Sequence, residues 1–482
     1  MRHTTAEPSG GGMRVLCICI AVLASVGCVT RTGVYDDIYR DRNAAYQAWK
    51  SAKEGQEGAQ LVLTGKLSIQ KAVKTAWENN KLLGVIREQR ENAKGRIIEA
   101  YSAALPKLDF RGGYTRLDKV PTFKAGGVSV PMGNRNNYSG SLVLTQPFFQ
   151  GGAITAGIRG ANIFAFLTDE EVATVQQDVV YQTRRTYYDW LLARELVKVS
   201  EGDLKLAKAH LGDVQKKKAA GVVSAYDVLR ARVEVSNVEA QLIERQNASH
   251  LAMTTLLKTM GVSQESRVEL TDKLEYKPAL PVLEQAVKKA FHERPEILKA
   301  ELAVKLNQEL VVDARSGFLP RVEGTYTRTR AKPDPHDQTR QDWGNEWSAA
   351  MTMIWPIFDG LASVGRMRQA RADLQRSVIE LAEAEEQVLL DVKQALFSIE
   401  DAEKFVKSQS ENRKRAEEGL RLAKAGYDAG VNTEIEMLDA RQALSETHAL
   451  YYQAVYGHQT AKLALERATG ALKNQKLGGA LK

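Results

Sequence analysis

Ala219-Ala220-Gly221-Val222-Val223-Ser224-Ala225-Tyr226-Asp227-Val228-Leu229-Arg230-Ala231-Arg232 runs in step with Asp428-Ala429-Gly430-Val431-Asn432-Thr433-Glu434-Ile435-Glu436-Met437-Leu438-Asp439-Ala440-Arg441, and that pairing decides the fold. The two glycines lie 430 − 221 = 209 positions apart. The same offset superposes Pro147-Phe148-Phe149-Gln150-Gly151 on Pro356-Ile357-Phe358-Asp359-Gly360, and Met260-Gly261 on Thr469-Gly470. Three anchors in one register mark an internal duplication. A fourth pair, Leu105-Pro106-Lys107 and Leu319-Pro320-Arg321, is offset by 320 − 106 = 214. The extra 214 − 209 = 5 positions fall before the next anchor, where a loop of variable length is expected. The chain thus reads as a first repeat over 67–261, a connection over 262–280 and a second repeat over 281–470, each repeat a helix, a β-hairpin and a long helical hairpin, with a flexible tail over 471–482.

Proline positions mark the elements, because proline breaks helix interiors. None occurs from Phe148 to Lys277 or from Ile357 to the C-terminus. Within these stretches Leu374, Val378, Leu381, Val388, Val392 and Ala395 recur at helical spacing, and Val172, Val175 and Val179 begin a similar run. A continuous helix over 156–218 would reach roughly 95 Å. A helix of that length needs equally long neighbours, in a bundle or coiled coil. Gly221 and Gly430 mark the turns where such helices reverse.

Ahead of each long helix the period changes to two. Leu108, Phe110 and Tyr114 alternate with Asp109, Arg111 and Thr115, and Tyr138, Leu142 and Leu144 with Ser139, Ser141 and Thr145. In the second half Val322 and Tyr326 interleave with Arg321, Glu323, Thr325 and Thr327. Trp347, Met351, Met353 and Trp355 do so with Ser348, Thr352 and Ile354. Such segments fit either a soluble hairpin with one buried face or membrane strands around a wet lumen. Four strands cannot close a conducting barrel, since the smallest need about eight, so closure would take several chains. The polar intervals Asp118–Asn137 and Ala331–Glu346 read as hairpin loops.

The formal charge of +8 suggests nucleic acid only superficially, because Lys and Arg are dispersed among Asp and Glu. All three cysteines fall within the first 28 residues. Met13-Arg14, the apolar run Val15 to Ala24 and the small residues before Cys28 read as an export signal over 1–27, with Met13 an alternative start. Ser25-Val26-Gly27-Cys28 resembles the lipobox of bacterial lipoproteins, with Ser25 where Leu is usual, so Cys28 is the expected lipid attachment site. Val29 stands in place of the inner-membrane retention Asp, which favours the outer membrane. An ordinary secretory signal cut nearby is the alternative.

Leu67-Ser68-Ile69-Gln70-Lys71-Ala72-Val73 through Asn79-Asn80, the Leu-Pro approach to each first strand, the Pro-Phe-Phe-Gln-Gly-Gly strand exit and both Gly-Val turns together resemble the TolC-like outer-membrane factors. Their order and duplication carry the resemblance across the whole mature chain. It implies a mixed α/β, mainly α protein forming a homotrimer, with a twelve-strand β-barrel in the outer membrane continuous with a twelve-helix periplasmic α-barrel. Residues 28–66 would pack outside the tube, and 262–280 would lie at its equator. The expected partners are a periplasmic adaptor and an inner-membrane pump, and the implied activity is passive export of small molecules or proteins.

The resemblance also assigns residues. Tyr427, Gly430, Glu436 and Asp439 match the family's tyrosine, turn glycine and two acidic residues near the closed entrance, the acids forming stacked rings. Asp227 matches a gate-contact aspartate, and Tyr226 replaces the hydroxyl residue before it. Asn432 stands where an arginine pairs across the helices, so that link is missing. Val222 and Val431, beside Gly221 and Gly430, are the expected adaptor-docking surface.

Other classes fit poorly. His292-Glu293 lacks the second histidine of a zinc-protease helix, and Gly65-Lys66 lacks the remaining phosphate-loop residues. No catalytic, metal or cofactor site is expected. A periplasmic coiled-coil structural or adaptor protein remains the alternative, and the duplicated strand pairs argue against it.

Overall fold

The structure is a computed structural model that describes residues 31–53, 61–131, 133–279, 281–337 and 342–472. The expected signal peptide, Cys28 and residues 473–482 of the tail lie outside them. Helices are α1 (Arg31–Lys53), α2 (Ile69–Asn79), α3 (Lys81–Ser102), α4 (Ala153–Ala219), α5 (Ala225–Met260), α6 (Leu283–Glu293), α7 (Pro295–Ser316), α8 (Ala362–Asp428) and α9 (Glu434–Ala468). Strands are β1 (Thr64–Leu67), β2 (Lys107–Arg116), β3 (Thr122–Ala125), β4 (Val128–Pro131), β5 (Asn136–Gln150), β6 (Arg267–Leu270), β7 (Arg321–Lys332) and β8 (Gly344–Ile354). Contacts divide the chain into two units. The smaller holds α1 and most of the β1–β6 ladder, where Ser263 N–H donates to Leu61 O and Arg267 N–H to Leu63 O.

The larger unit carries the duplication. Both α4 and α8 are 67 residues long, about 100 Å at the helical rise. Gly151 and Gly152 precede α4 with φ of 62° and 93°, and Gly360 and Leu361 precede α8 with φ of 68° and 71°. Three lysines, Lys216 to Lys218, close α4 and complement its negative dipole end. In the layer near the turns α4 packs on α5 and α9, and α9 on α8. Nearer the strands α4 packs on α3 and α7, and α7 on α8. Among the described residues each layer therefore runs through four helices and ends on a flank with no closely packed neighbour.

Where the short helices meet the long hairpins, both halves use one device. Gly261 (φ 74°) caps α5 against the carbonyl of Asn79, and Asn80 Nδ2 donates to Thr259 O at 2.7 Å. Gly470 (φ 72°) follows α9 against the backbone of Glu293, where a Cβ would come within 2.7 Å. The connection ties the halves together: Tyr187 OH donates to Asp272, Arg194 to the carbonyls of Leu270 and Asp272, and Gln459 to Glu275 O. Leu274 packs beside Val406, Ala454 and Val455.

Two details depart from the sequence reading. The segment before each hairpin is two helices rather than one, broken at Asn80 and Arg294, whose extended ψ of 126° and 121° interrupts the helix. The interval Asp118–Asn137 is not all loop, because β3 and β4 form a small hairpin within it.

Candidate gate and membrane face

Strands β2, β5, β7 and β8 form one antiparallel sheet in that order. Register follows the alternation in the sequence. Leu108, Phe110 and Tyr114 pair with Leu144, Leu142 and Tyr138; Leu144 continues to Tyr326, Tyr326 to Ala349, and Val322 to Met353. This face is apolar and exposed: Phe110, Trp347, Met351 and Met353 all stand open. Phe110 lies over Gly112 and Gly140, and Phe148 over Gly324, so these glycines make room for flat rings.

The opposite face carries Asp109, Arg111, Ser139, Ser141, Thr327, Thr329, Glu346 and Ser348, with Ser141 and Thr329 hydroxyls bonded at 2.9 Å. Leaving the apolar face to water and burying the polar one would reverse normal folding. Burial against hydrocarbon removes the conflict. At the sheet's two edges, β2 and β8 each have one side without a partner strand among the described residues. Among the described residues no helix is long and apolar enough to cross a membrane.

At the other end of α4 and α8 the two turns are built alike. Val222 N–H donates to Lys217 O and Val431 N–H to Gly426 O, with Gly221 and Gly430 at φ of 77° and 76°. No atom would meet a Cβ on either glycine, so backbone conformation alone calls for glycine there. Ser224 then caps α5, and Asp227 completes a capping box by accepting from Ser224 N and Oγ, both at 2.8 Å. These bonds hold the Asp227 carboxyl below its ordinary pKa. Thr433 and Glu436 repeat the arrangement on α9, with 2.8 Å from Thr433 N.

Two carboxylates read from sequence as gate contacts therefore serve first as helix caps. Asp227 makes no bond to Tyr427. Asp439 is exposed and forms no ion pair among the described residues. Tyr226 is exposed, and Val222 and Val431 are 72% and 81% exposed. Asn432 folds back on its own helix: its Nδ2 donates to Ala423 O at 3.4 Å, and its amide occupies the space above Gly426.

Tyr427 instead meets the first half through a cation. Lys217 Nζ stands 4.0 Å from the centre of its ring and 4.0 Å from Asp428, and the His210 ring approaches Tyr427 edge-on at 6.2 Å. His210 Nε2 lies 2.9 Å from Glu434 Oε1, with the side chains only 10% and 13% exposed. Further along, Arg441 pairs with Glu234 and Ser445 donates to Asp203. Burial raises the Asp203 carboxyl, against the lowering pull of Ser445 and Arg441. These four links join α4 and α5 to the second hairpin around a recess of about 290 Å³ lined by Leu206, Leu420, Tyr427 and Met437. Sequence reasoning missed all of them but Tyr427. The partners lie more than 200 positions apart, and only the 209-residue register hinted that the turns would meet.

An apolar-faced strand layer joined to paired 67-residue helices whose turns are latched at the far end defines an outer-membrane duct protein. The family model "Outer membrane efflux protein" matches residues 72–262 and 286–471, and the chain belongs to that family. It is 24% identical over 406 residues to outer membrane protein TolC of Escherichia coli, covering 80% of this chain and 79% of that one. It is 22% identical over 395 residues to the alkaline protease secretion protein AprF of Pseudomonas aeruginosa, covering 80% and 82%. A solved membrane protein structure from Pseudomonas aeruginosa shares the fold with a TM-score of 0.72, 21% identity and coverage of 83% and 93%.

Proposed function

We propose that three copies of this chain close into one duct, with 3 × 4 = 12 strands in the outer membrane. The chain is an outer-membrane channel component of efflux or type I secretion, not an enzyme. The observation that supports closure into a ring is the matching pair of open edges, and three copies is the number that the family resemblance implies. The sheet ends on β2 and β8, and the helix layer near the turns ends on α5 and α8. Both flanks expose apolar residues: Leu229, Val233, Ile243 and Leu251 on α5, and Ile379, Phe397, Phe405 and Leu422 on α8. Two different flanks that complement each other make a head-to-tail contact, which closes into a ring at a fixed number of copies.

In this reading the polar sheet face lines the lumen, the turns form the periplasmic entrance, and Cys28 carries a lipid. The acidic ring at the entrance is chiefly Asp439, since Glu436 is committed to its cap. Lys217–Tyr427 and His210–Glu434 hold the second hairpin to the first in place of the absent arginine link. Val222 and Val431 present apolar tips to a periplasmic adaptor, and an inner-membrane pump supplies energy and selects cargo. Electron microscopy of the detergent-purified protein tests this reading. A threefold ring of twelve strands is expected; a monomer, or a coiled coil with an open sheet, overturns it.

A further inference from the structure

The apolar face of the sheet carries four cations at the end away from the helices, and no carboxylate. Register puts Arg116 of β2 and Arg328, Arg330 and Lys332 of β7 on the face shared by Phe110, Leu142 and Trp347. The strand carboxylates Asp109, Glu323 and Glu346 all fall on the other face. None of the four cations forms an ion pair among the described residues, and Arg328 and Arg330 are exposed. An unpaired arginine facing hydrocarbon is far costlier at mid-membrane than near its surface, so height matters. Counting from Arg321 at about 3.3 Å per residue and a tilt of roughly 40°, Arg328 stands about 18 Å and Lys332 about 28 Å up the sheet. That straddles the outer margin of an apolar band about 25 Å tall.

Aromatic rings collect at the same level. Tyr114 and Tyr138 lie 5.0 Å apart, Tyr138 and Trp343 6.3 Å, and the Arg330 guanidinium lies 5.7 Å from the centre of the Trp343 ring. Arg328 is paired in register with Trp347, which stacks on Tyr326 at 6.2 Å. Rings that seat at a membrane surface, beside forked donors that match phosphate oxygens, suit an anionic headgroup whose acyl chains lie along the apolar face below.

We propose that Arg328, Arg330 and Lys332, with Arg116 beside them, form a binding site for the phosphates of an acylated glycolipid in the outer leaflet. The site rests on the membrane-barrel reading above. The full-length protein in detergent is mixed with bis-phosphorylated lipid A and analysed by native mass spectrometry. The wild type is expected to retain the lipid, R328Q/R330Q/K332Q to retain at least tenfold less, and R328K/R330K to keep most of it. Heat-resistant β-structure by circular dichroism shows that each variant is folded. Equal retention by the triple variant, or equal retention of dephosphorylated lipid A by the wild type, overturns the site and leaves only a greasy belt. If the barrel reading itself is wrong, the wild type stays monodisperse after detergent removal and retains neither lipid, which overturns both.

Discussion

Helices α4 and α8 are equivalent in the duplication and equal in length, yet their surroundings differ. Near the turns α4 is flanked by α5 and α9, whereas α8 has only α9. Leu191 and Trp190 of α4 are buried; their counterparts 209 positions on are Glu400, which is exposed, and Ile399, which is buried. Tyr188 is half-buried against the core while its counterpart Phe397 is 64% exposed. Near the turns α8 has one covered side and one side with no neighbouring helix among the described residues. Position in the layer, rather than position in the repeat, set which residues diverged.

The largest test of this comparison uses the glycines. Gly261→Ala drives a Cβ into the Asn79 carbonyl in a left-handed conformation and is expected to cost about 2–5 kcal/mol. Gly221→Ala meets open space and should cost only about 1–2 kcal/mol of backbone strain. Urea unfolding in detergent separates them, and equal losses would mean that the close approach contributes nothing.

Arg441 and Arg232 are also equivalent, and only Arg441 is buried against a partner. Arg441→Leu strands Glu234 and should cost about 1–3 kcal/mol, less than a fully buried pair because Glu234 is partly exposed. Arg232→Leu should stay within about 0.5 kcal/mol.

His458 has Ser249 as its counterpart. It is fully buried against Tyr276, 3.6 Å from Glu403, and burial, aided by Lys462, lowers its pKa against the raising pull of Glu403. With the folded pKa depressed, the unfolded chain takes up the proton first. Stability is therefore full above the unfolded value and falls as pH drops below it towards the folded pKa. The melting temperature should fall more for wild type than for H458F between neutral and mildly acid pH; parallel curves would refute the assignment.

Lys217→Gln removes a cation–π contact of about 0.5–1 kcal/mol and should raise the open fraction of single channels roughly two- to fivefold in planar bilayers. An unchanged open fraction would show that the Tyr427 contact does not hold the entrance. The smallest effect belongs to the helix starts, where Leu361 adopts the left-handed conformation that Gly152 provides in the first half. Leu361→Gly should stabilise by about 0.5–1 kcal/mol, from relief of strain partly offset by glycine's freedom.

The long helices were legible because proline and period are local signals: 156–218 was expected and Ala153–Ala219 is found. The strand faces were legible for the same reason, whereas the register that sets Leu108 opposite Leu144 came only with the structure. The break at Asn80 was overlooked: its Oδ1 caps α3 locally by accepting from Leu82 N at 2.8 Å, and its Nδ2 then reaches Thr259 O, 179 positions away. Likewise Ser224-x-x-Asp227 and Thr433-x-x-Glu436 spell capping boxes, a reading that their place at a turn obscured. His210 with Glu434 joins halves that no neighbouring residue foreshadows.

The two open sheet edges also govern what happens before the duct exists. A protomer crossing the periplasm alone offers unpaired backbone on β2 and β8 beside a water-exposed apolar face, the combination that templates aggregation. If three copies close the duct as proposed, its survival in transit is a race between meeting two sisters at the membrane and meeting anything else. On that proposal the rate at which copies meet, as much as their sequence, decides how much duct is made.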